Sequence, residues 1–356
     1  MTNDHAFEAK VDALAARGLR NRWWCIAPSR MVQTKPVALT RLGDRMVAWR
    51  DQSGKVNVVE DRCPHRAAPL SMGRIFDGRL TCRYHGVQVG GDGTVLAVPA
   101  FPECNLVGQR LVKAYPVVEH FQGIWVYIGD EAHPEPCPLT LPPELMSDEW
   151  TGLIVSNTWH CNYQYVLDNL CDIMHPPYLH GDTFNLAHGK KSDVVAVEDT
   201  DTGVIVRRKN DPTSNVNVQE YVDDTTCYTR VNVFSPPGNG PGGFVRIIAT
   251  AVPIDENSCQ FNTWRLRNVA GWQGAMFRFM FNMLYEKHLW EVIEQDREML
   301  EALPPWPPVE NLYQHDVGVS RVRRVIRKQA EAQVRALEKI SAKETAATSG
   351  ALAAVK

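Results

Sequence analysis

Long apolar runs are missing from this chain. The longest, Gly274 to Tyr285, is interrupted by Arg278 and falls short of the roughly 20 residues that a membrane helix needs, so no span is expected. An excess of either charge is missing too: 38 Lys and Arg against 41 Asp and Glu leave a formal net charge of -3. That balance offers no general attraction to polyphosphate or anionic lipid, which sets nucleic acid and membranes aside as partners in favour of a small molecule or another protein. No basic leader with an apolar segment opens the sequence, where residues 1–18 read as a short polar helix with Ala and Leu, so a cytoplasmic location is the expectation. A nucleotide-binding glycine fingerprint and internal repeats are also lacking. Cysteine is not scarce. Nine are scattered unevenly, and without a secretory leader they favour free thiols and metal ligation over a disulfide framework.

At 356 residues, with 44% hydrophobic and 22% charged, the chain suits a globular protein of two domains. From Trp23 to about Gly129, short Val-rich and aromatic runs such as Met46–Trp49, Val56–Val59 and Ile124–Ile128 are separated by Gly, Asp and Pro, the pattern of a small β domain. Pro134, Pro136, Pro138, Pro142 and Pro143 then fall within ten residues, which neither a helix nor a central strand tolerates. This places a boundary there: a first domain over residues 1–135 with its N-terminal helix, a second over 136–345, and a disordered tail over 346–356. In the second, a strand near Leu153 to His160 precedes helical spacing over residues 162–175, which Pro176 and Pro177 stop. Residues 193–268 return to β character, an amphipathic helix from about Gly271 to Leu303 ends at Pro304-Pro305, and a basic helix follows from Ser320 to about Ile340. The second domain is therefore α+β.

Cys63-Pro-His65 and Cys82-Arg-Tyr-His85 present two Cys/His pairs, with Gly86 closing the second loop. One such pair is more often ordinary core material; two spaced pairs point to metal. Two Cys and two His satisfy a tetrahedral zinc site, and equally a Rieske [2Fe-2S] cluster, in which two thiolates hold one iron and two imidazoles the other. In the cluster reading Cys63 and Cys82 take one iron, His65 and His85 the other. A second constellation follows: Asp168, Asp172 and His175 are spaced to share one helix face, and His180 lies beyond the double proline, where the chain can turn back toward His175. Two His and one carboxylate form the facial triad that leaves positions open for O2 on Fe(II).

The runs Cys63-Pro-His-Arg-Ala-Ala-Pro-Leu70 and Cys82-Arg-Tyr-His-Gly86 resemble the Rieske loops of oxygenases, and Asp168 to His180 resembles the mononuclear iron motif of the same family. Respiratory Rieske proteins carry an additional cysteine in each loop, where this chain has Ala68 and Tyr84. The resemblance runs from Trp23 to near Arg327 and is closest to the vanillate O-demethylase oxygenase group of the ring-hydroxylating oxygenase alpha subunits. It implies a Rieske β domain, a helix-grip catalytic domain with an antiparallel sheet, and head-to-tail homotrimers. The segment Glu294 to Leu300 resembles the late helix that supplies the third ligand of a mononuclear non-haem Fe(II), here Asp296 beside His175 and His180. Gln295 departs from the acid often found there. The likeness makes Asp172 an electron bridge between His175 and His85 of the next subunit, and sets Asn169 near the iron. Asp168 stays outside the ligand set.

The same resemblance implies a terminal oxygenase that consumes O2 and electrons from NAD(P)H. These arrive through a separate flavin and iron-sulfur reductase and, in some systems, a ferredoxin. An aromatic acid is the expected substrate, by O-demethylation or hydroxylation. Phe261, Trp264 and Phe281 are candidate pocket walls, and an inward-facing Arg207, Arg246 or Arg265 could bind the acid. The basic run Arg321 to Lys328 could dock a reductase; the plainer reading is an amphipathic helix packed by Val322, Val325 and Ile326. The rivals are a Rieske electron carrier or redox sensor without catalysis, which needs no second iron site, and a colourless structural zinc protein.

Overall fold

The structure, a computed structural model, describes residues 2–182, 190–211, 214, 216–235, 243–269, 271–281, 283 and 286–354. The N-terminal part runs α1 (Thr2–Arg17), β1 (Arg22–Pro28), β2 (Val37–Arg41), β3 (Asp44–Arg50), β4 (Val56–Glu60), β5 (Arg74–Phe76), β6 (Arg79–Thr81), β7 (Gln88–Val89), β8 (Val95–Ala97), β9 (Val117–His120) and β10 (Gly123–Ile128). These short strands are rich in Val, Ile and Trp, residues that fill a pleated, half-buried surface. They form three small sheets, β1-β10-β9, β2-β3-β4 and β5-β6-β7-β8.

The proline-rich segment leads through α2 (Pro143–Met146) and β11 (Trp150–Trp159) to α3 (Tyr163–Cys171) and α4 (Pro176–Leu179). Then come β12 (Val195–Thr200), β13 (Gly203–Arg208), β14 (Val218–Asp223), β15 (Cys227–Ser235), β16 (Gly243–Pro253), β17 (Cys259–Asn268), α5 (Gly271–Met280), α6 (Glu286–Glu301) and α7 (Val317–Ala354). The seven strands form one antiparallel sheet in the order β11-β17-β16-β15-β14-β13-β12, so the fold is α+β as expected.

Alternation along the strands gives this sheet two distinct faces. Val155, Thr263, Ala249, Thr229, Tyr221 and Val204 form one row across it, and α3 and α7 pack over that side. The opposite face carries Ile154, Trp264, Ile248 and Tyr228, which bury against Trp23, Cys25 and Trp125 of the N-terminal part. There Trp264 stacks on Trp125 with ring centroids 5.5 Å apart.

Three local expectations change. The helix expected over residues 162–175 stops at Cys171, because Asp172 adopts extended dihedrals and its Oδ1 accepts from the Met174 N–H at 2.7 Å, an Asx-type bond that competes with helix continuation. The helix expected from Gly271 to Leu303 is two helices, α5 and α6. The helix read as ending near Ile340 continues to Ala354, through most of the segment expected to be a tail; its Ala content permits this. Moreover, α1 packs on α7 rather than on the small sheets, with Val11 fully buried and Lys10 paired to Glu338 at 2.7 Å. The first domain thus shares its N-terminal helix with the core of the second.

Candidate metal centres

The two Cys/His loops fold alike. The Cys63 N–H donates to Ala68 O (2.8 Å) and the Ala67 N–H to Cys63 O (2.9 Å); the Cys82 N–H donates to Val87 O (2.8 Å) and the Gly86 N–H to Cys82 O (3.0 Å). The fourth residue after each cysteine closes the turn in the left-handed region, Ala67 at φ 56° and Gly86 at φ 75°, which a glycine adopts without strain. Asp61, at the end of β4, fastens the base of the first loop by accepting from the Ser71 N–H (2.7 Å) and Ser71 Oγ (2.6 Å). Asp61 was not among the expected site residues, and no spacing rule would have found it.

Cys63 and Cys82 are buried, and their thiols are in contact. Burial, with Cys82 adding to it, holds the Cys63 thiol above its ordinary value. His85 is half-buried and His65 exposed, their rings edge to face at 4.7 Å between centroids. Two thiols inside and two imidazoles outside suit a cluster that has one thiolate-held and one imidazole-held iron.

The second centre draws on two elements: His175 precedes α4, His180 follows it, and Asp296 lies in α6. One ligand atom from each lies within 4.8 Å of the others. His180 Nε2 is 3.2 Å and His175 Nε2 3.6 Å from Asp296 Oδ1. The other ring nitrogens are already engaged, His175 Nδ1 with the Asp172 backbone oxygen and His180 Nδ1 with Gln295 Oε1, both at 2.8 Å. Because both acceptors require an N–H, each Nδ1 carries a proton, and in the neutral rings each Nε2 presents its lone pair toward the shared point. Asn169 Nδ2 donates to Asp296 Oδ1 at 3.1 Å. Burial disfavours a charged His180, but Asp296 and then Gln295 outweigh it and raise its pKa; the carboxylate draws positive charge to this spot. From the sequence, Gln295 is expected to be only a departure from the acid often found at that position, without effect on ligation; here it holds a ring nitrogen of His180.

The Asp172 carboxylate stands 3.9 Å from His175 Nδ1, outside hydrogen-bond reach, so the expected carboxylate contact is replaced by the backbone carbonyl. The reason is the Asx-type bond that occupies Oδ1. Asp168 turns to the opposite side of α3, where it accepts from Arg323 Nη2 at 2.6 Å, and Arg323 also pairs with Glu310. Burial pushes the Asp168 carboxyl up to about 7, against the pull of Arg323. The alignment of Asp168 with His175 on one helix face therefore does not hold.

Of the expected pocket residues, Phe261 faces α3 and contacts Trp159, and Phe281 is buried. Trp264 is on the other face, stacked on Trp125. Arg207 and Arg246 share that far face, where they border a 240 Å³ depression with Glu220 and Arg230; Arg265 alone of the three points toward the helices. Three of the five cations of the basic run are paired within the chain, while Arg324 and Lys328 are exposed. Val322 and Ile326 are buried, Val325 packs beside them, and Arg321, Arg323 and Arg327 pair with Asp199, Asp168 and Asp12. Among the described residues, no helix is long and apolar enough to cross a membrane.

Comparison with known proteins agrees with this arrangement. Residues 22–116 match the Rieske [2Fe-2S] domain and residues 159–332 the vanillate O-demethylase oxygenase C-terminal domain. The vanillate O-demethylase oxygenase subunit of Pseudomonas sp. strain HR199 is 30% identical over 68% of this chain and 62% of its own. A putative toluene-4-sulfonate monooxygenase system iron-sulfur subunit of Comamonas testosteroni is 28% identical over 56% of this chain and 58% of its own. Both matches span less than two thirds of the relative's length. The fold matches the oxygenase of carbazole 1,9a-dioxygenase, solved in a reduced complex with ferredoxin, at TM-score 0.73 and 21% identity, covering 91% of this chain and 94% of that one. With its paired Cys/His loops and its His/His/Asp group, the chain belongs to the Rieske oxygenase alpha-subunit family, a Rieske [2Fe-2S] domain joined to a vanillate O-demethylase-type C-terminal domain.

Proposed function

We propose that this protein is the terminal oxygenase of a Rieske non-haem iron system, acting on an aromatic acid by O-demethylation or hydroxylation. The observation that carries the reading is the convergence of His175, His180 and Asp296 within 4.8 Å. An electron carrier needs only the first centre. Cys63, His65, Cys82 and His85 would hold the [2Fe-2S] cluster, and His175, His180 and Asp296 the mononuclear iron. When bound, the cluster supplies electrons one at a time and the Fe(II), with open positions, supplies O2 activation.

The chain's own residues prepare that site. Gln295 and the Asp172 carbonyl fix the tautomers of His180 and His175, so each neutral imidazole offers Nε2 to a metal. Asn169 orients the Asp296 carboxylate. The Asp172 carboxylate keeps Oδ2 free of the Asx-type bond and is one-third exposed, available to an imidazole N–H of His85 from a neighbouring subunit in a head-to-tail trimer. Electrons would come from NAD(P)H through a separate flavin and iron-sulfur reductase or a ferredoxin; the ferredoxin complex of the carbazole oxygenase supports such a partner. O-demethylation would convert an aryl methyl ether, O2, two electrons and two protons into a phenol, formaldehyde and water. Vanillate and toluene-4-sulfonate, named for the two relatives, are both aromatic acid anions.

The test is a single turnover: iron-loaded protein, reduced anaerobically, is exposed to O2 with methoxybenzoates and phthalates. A phenol with one formaldehyde per iron is expected. A hydroxylated product without formaldehyde would replace demethylation by hydroxylation, and cluster oxidation with no organic product would favour the electron carrier.

A further inference from the structure

Four arginines of the described chain are buried, and three of them have partners. Arg22 pairs with Asp223, Arg208 with Asp193 and Asp211, and Arg41 donates to Ile26 O and Gln260. Arg265 has none. It is 6% exposed, its Nε is enclosed without a hydrogen-bond partner, and no described carboxylate forms an ion pair with it. Burial drags its pKa down to about 10, and the one charge that opposes this is Asp296, a carboxylate engaged by His175 and His180. A buried charge without a counter-ion is among the costliest arrangements a fold can hold. A guanidinium cannot relieve the cost by losing its proton.

The surroundings share this pattern. Arg265 lies in a row with Leu153 and Ile247 on the face that also carries Phe261 and Thr263. α6, with Asp296, lies on this face as well, since Asn157, two residues along β11 from Val155, donates to Glu294 at 3.5 Å. Among the described residues, five of the nine buried polar side-chain atoms without a partner belong to this face: Trp159 Nε1, Gln219 Oε1, Thr229 Oγ1, Thr263 Oγ1 and Arg265 Nε. Buried polar groups are normally satisfied, and an unpaired cation beside the partnerless Thr263 Oγ1, two residues along the same face of β17, marks a place that receives a polar guest. Phe261, Leu153 and Ile247 supply apolar surface for a ring.

We propose that Arg265 receives the anionic group, carboxylate or sulfonate, of an aromatic substrate and so sets which part of the ring meets the His175/His180/Asp296 centre. This rests on the oxygenase reading. Arg265 makes a charge-assisted, bidentate contact that a neutral analogue cannot reproduce, worth roughly 10- to 150-fold in binding.

The experiment is anaerobic calorimetric titration of the full-length, iron-loaded protein, without turnover, using 3-methoxybenzoate, 3-methoxybenzenesulfonate and neutral 3-methoxybenzamide. The native protein is expected to bind both anions roughly 10- to 150-fold more tightly than the amide. Arg265→Met should erase the difference, Arg265→Lys should keep part of it, and Arg246→Met, on the far face, should leave it intact. Should Arg265→Met not fold, Arg265→Gln carries the same comparison. Equal binding of anion and amide by the native protein, no binding of any of the three, or a preference that survives loss of the guanidinium would overturn the proposal. The two readings fail separately. Anion preference lost with Arg265 in a protein that makes no product keeps the anchor and removes the oxygenase, whereas turnover indifferent to Arg265 and to substrate charge does the reverse.

Discussion

Gln295 offers the sharpest test of how the second centre is built. Its Oε1 accepts from His180 Nδ1 at 2.8 Å, and His180 is 1% exposed, so no water stands ready to replace it. Gln295→Leu keeps much of the volume and removes the acceptor. The stranded N–H costs about 1–3 kcal/mol, which the imidazole can avoid by moving its proton to Nε2 or rotating, and either change removes the lone pair aimed at Asp296. Outer contacts of this kind are worth roughly 10- to 100-fold in metal affinity. Competition of the variant against a ferrous chelator should therefore show iron affinity down by about that factor. The absorption and EPR signals of the Rieske cluster, held by other loops, should be unchanged. Gln295→Glu retains an acceptor and should bind iron close to native. A Gln295→Leu protein with native iron affinity and an intact cluster would refute the role of this bond.

Asp172→Asn should retain both metals yet nearly abolish reductase-supported turnover, measured as O2 uptake, because with its one oxygen held by the Met174 N–H the amide turns an NH2 group, not an acceptor, toward the His85 imidazole of a neighbouring subunit; normal activity would sink the bridge. Arg323→Met leaves Asp168 buried without its partner and should destabilise by about 3 kcal/mol, read by urea unfolding, with Asp168→Asn in the same protein recovering most of the loss. Arg327→Glu breaks pairs with Glu8 and Asp12 on α1; it should lower the melting temperature slightly while leaving the reductase-coupled rate unchanged, and a selective fall in that rate would restore the basic run as a docking site. Burial alone would raise Asp44, but the hydrogen bond and charge of Arg20 hold it below the ordinary carboxylate value. This stabilisation is present above the unfolded pKa of about 3.9 and lost as pH falls through the folded value. Arg20→Gln should thus be less stable than native at pH 7, with the gap narrowing below about pH 4.

Apart from Asp296, the chemistry-bearing residues of both centres were legible because each lies in a short motif. Two Cys/His pairs, and two histidines flanking a double proline, declare themselves by type and spacing, and α+β order follows from the change of hydrophobic period along the chain. Asp296 was reachable only through family likeness, since a lone aspartate among Glu291, Glu294 and Glu298 has the pattern of a solvated helix face. Spacing misled at Asp168, where helical periodicity was extended past the point at which the Asp172 side chain captures the Met174 N–H and ends α3. What tertiary structure alone decided is which face of a strand each side chain occupies. Trp264 and Arg265 are neighbours, yet one stacks on Trp125 of the Rieske side and the other is buried near Asp296. The alternation is visible in sequence, but its phase is set by what covers each face of the sheet, by α3, α6 and α7 on one side and β1 and β10 on the other, and those contacts join segments distant in the chain, as Trp125 and Trp264 are.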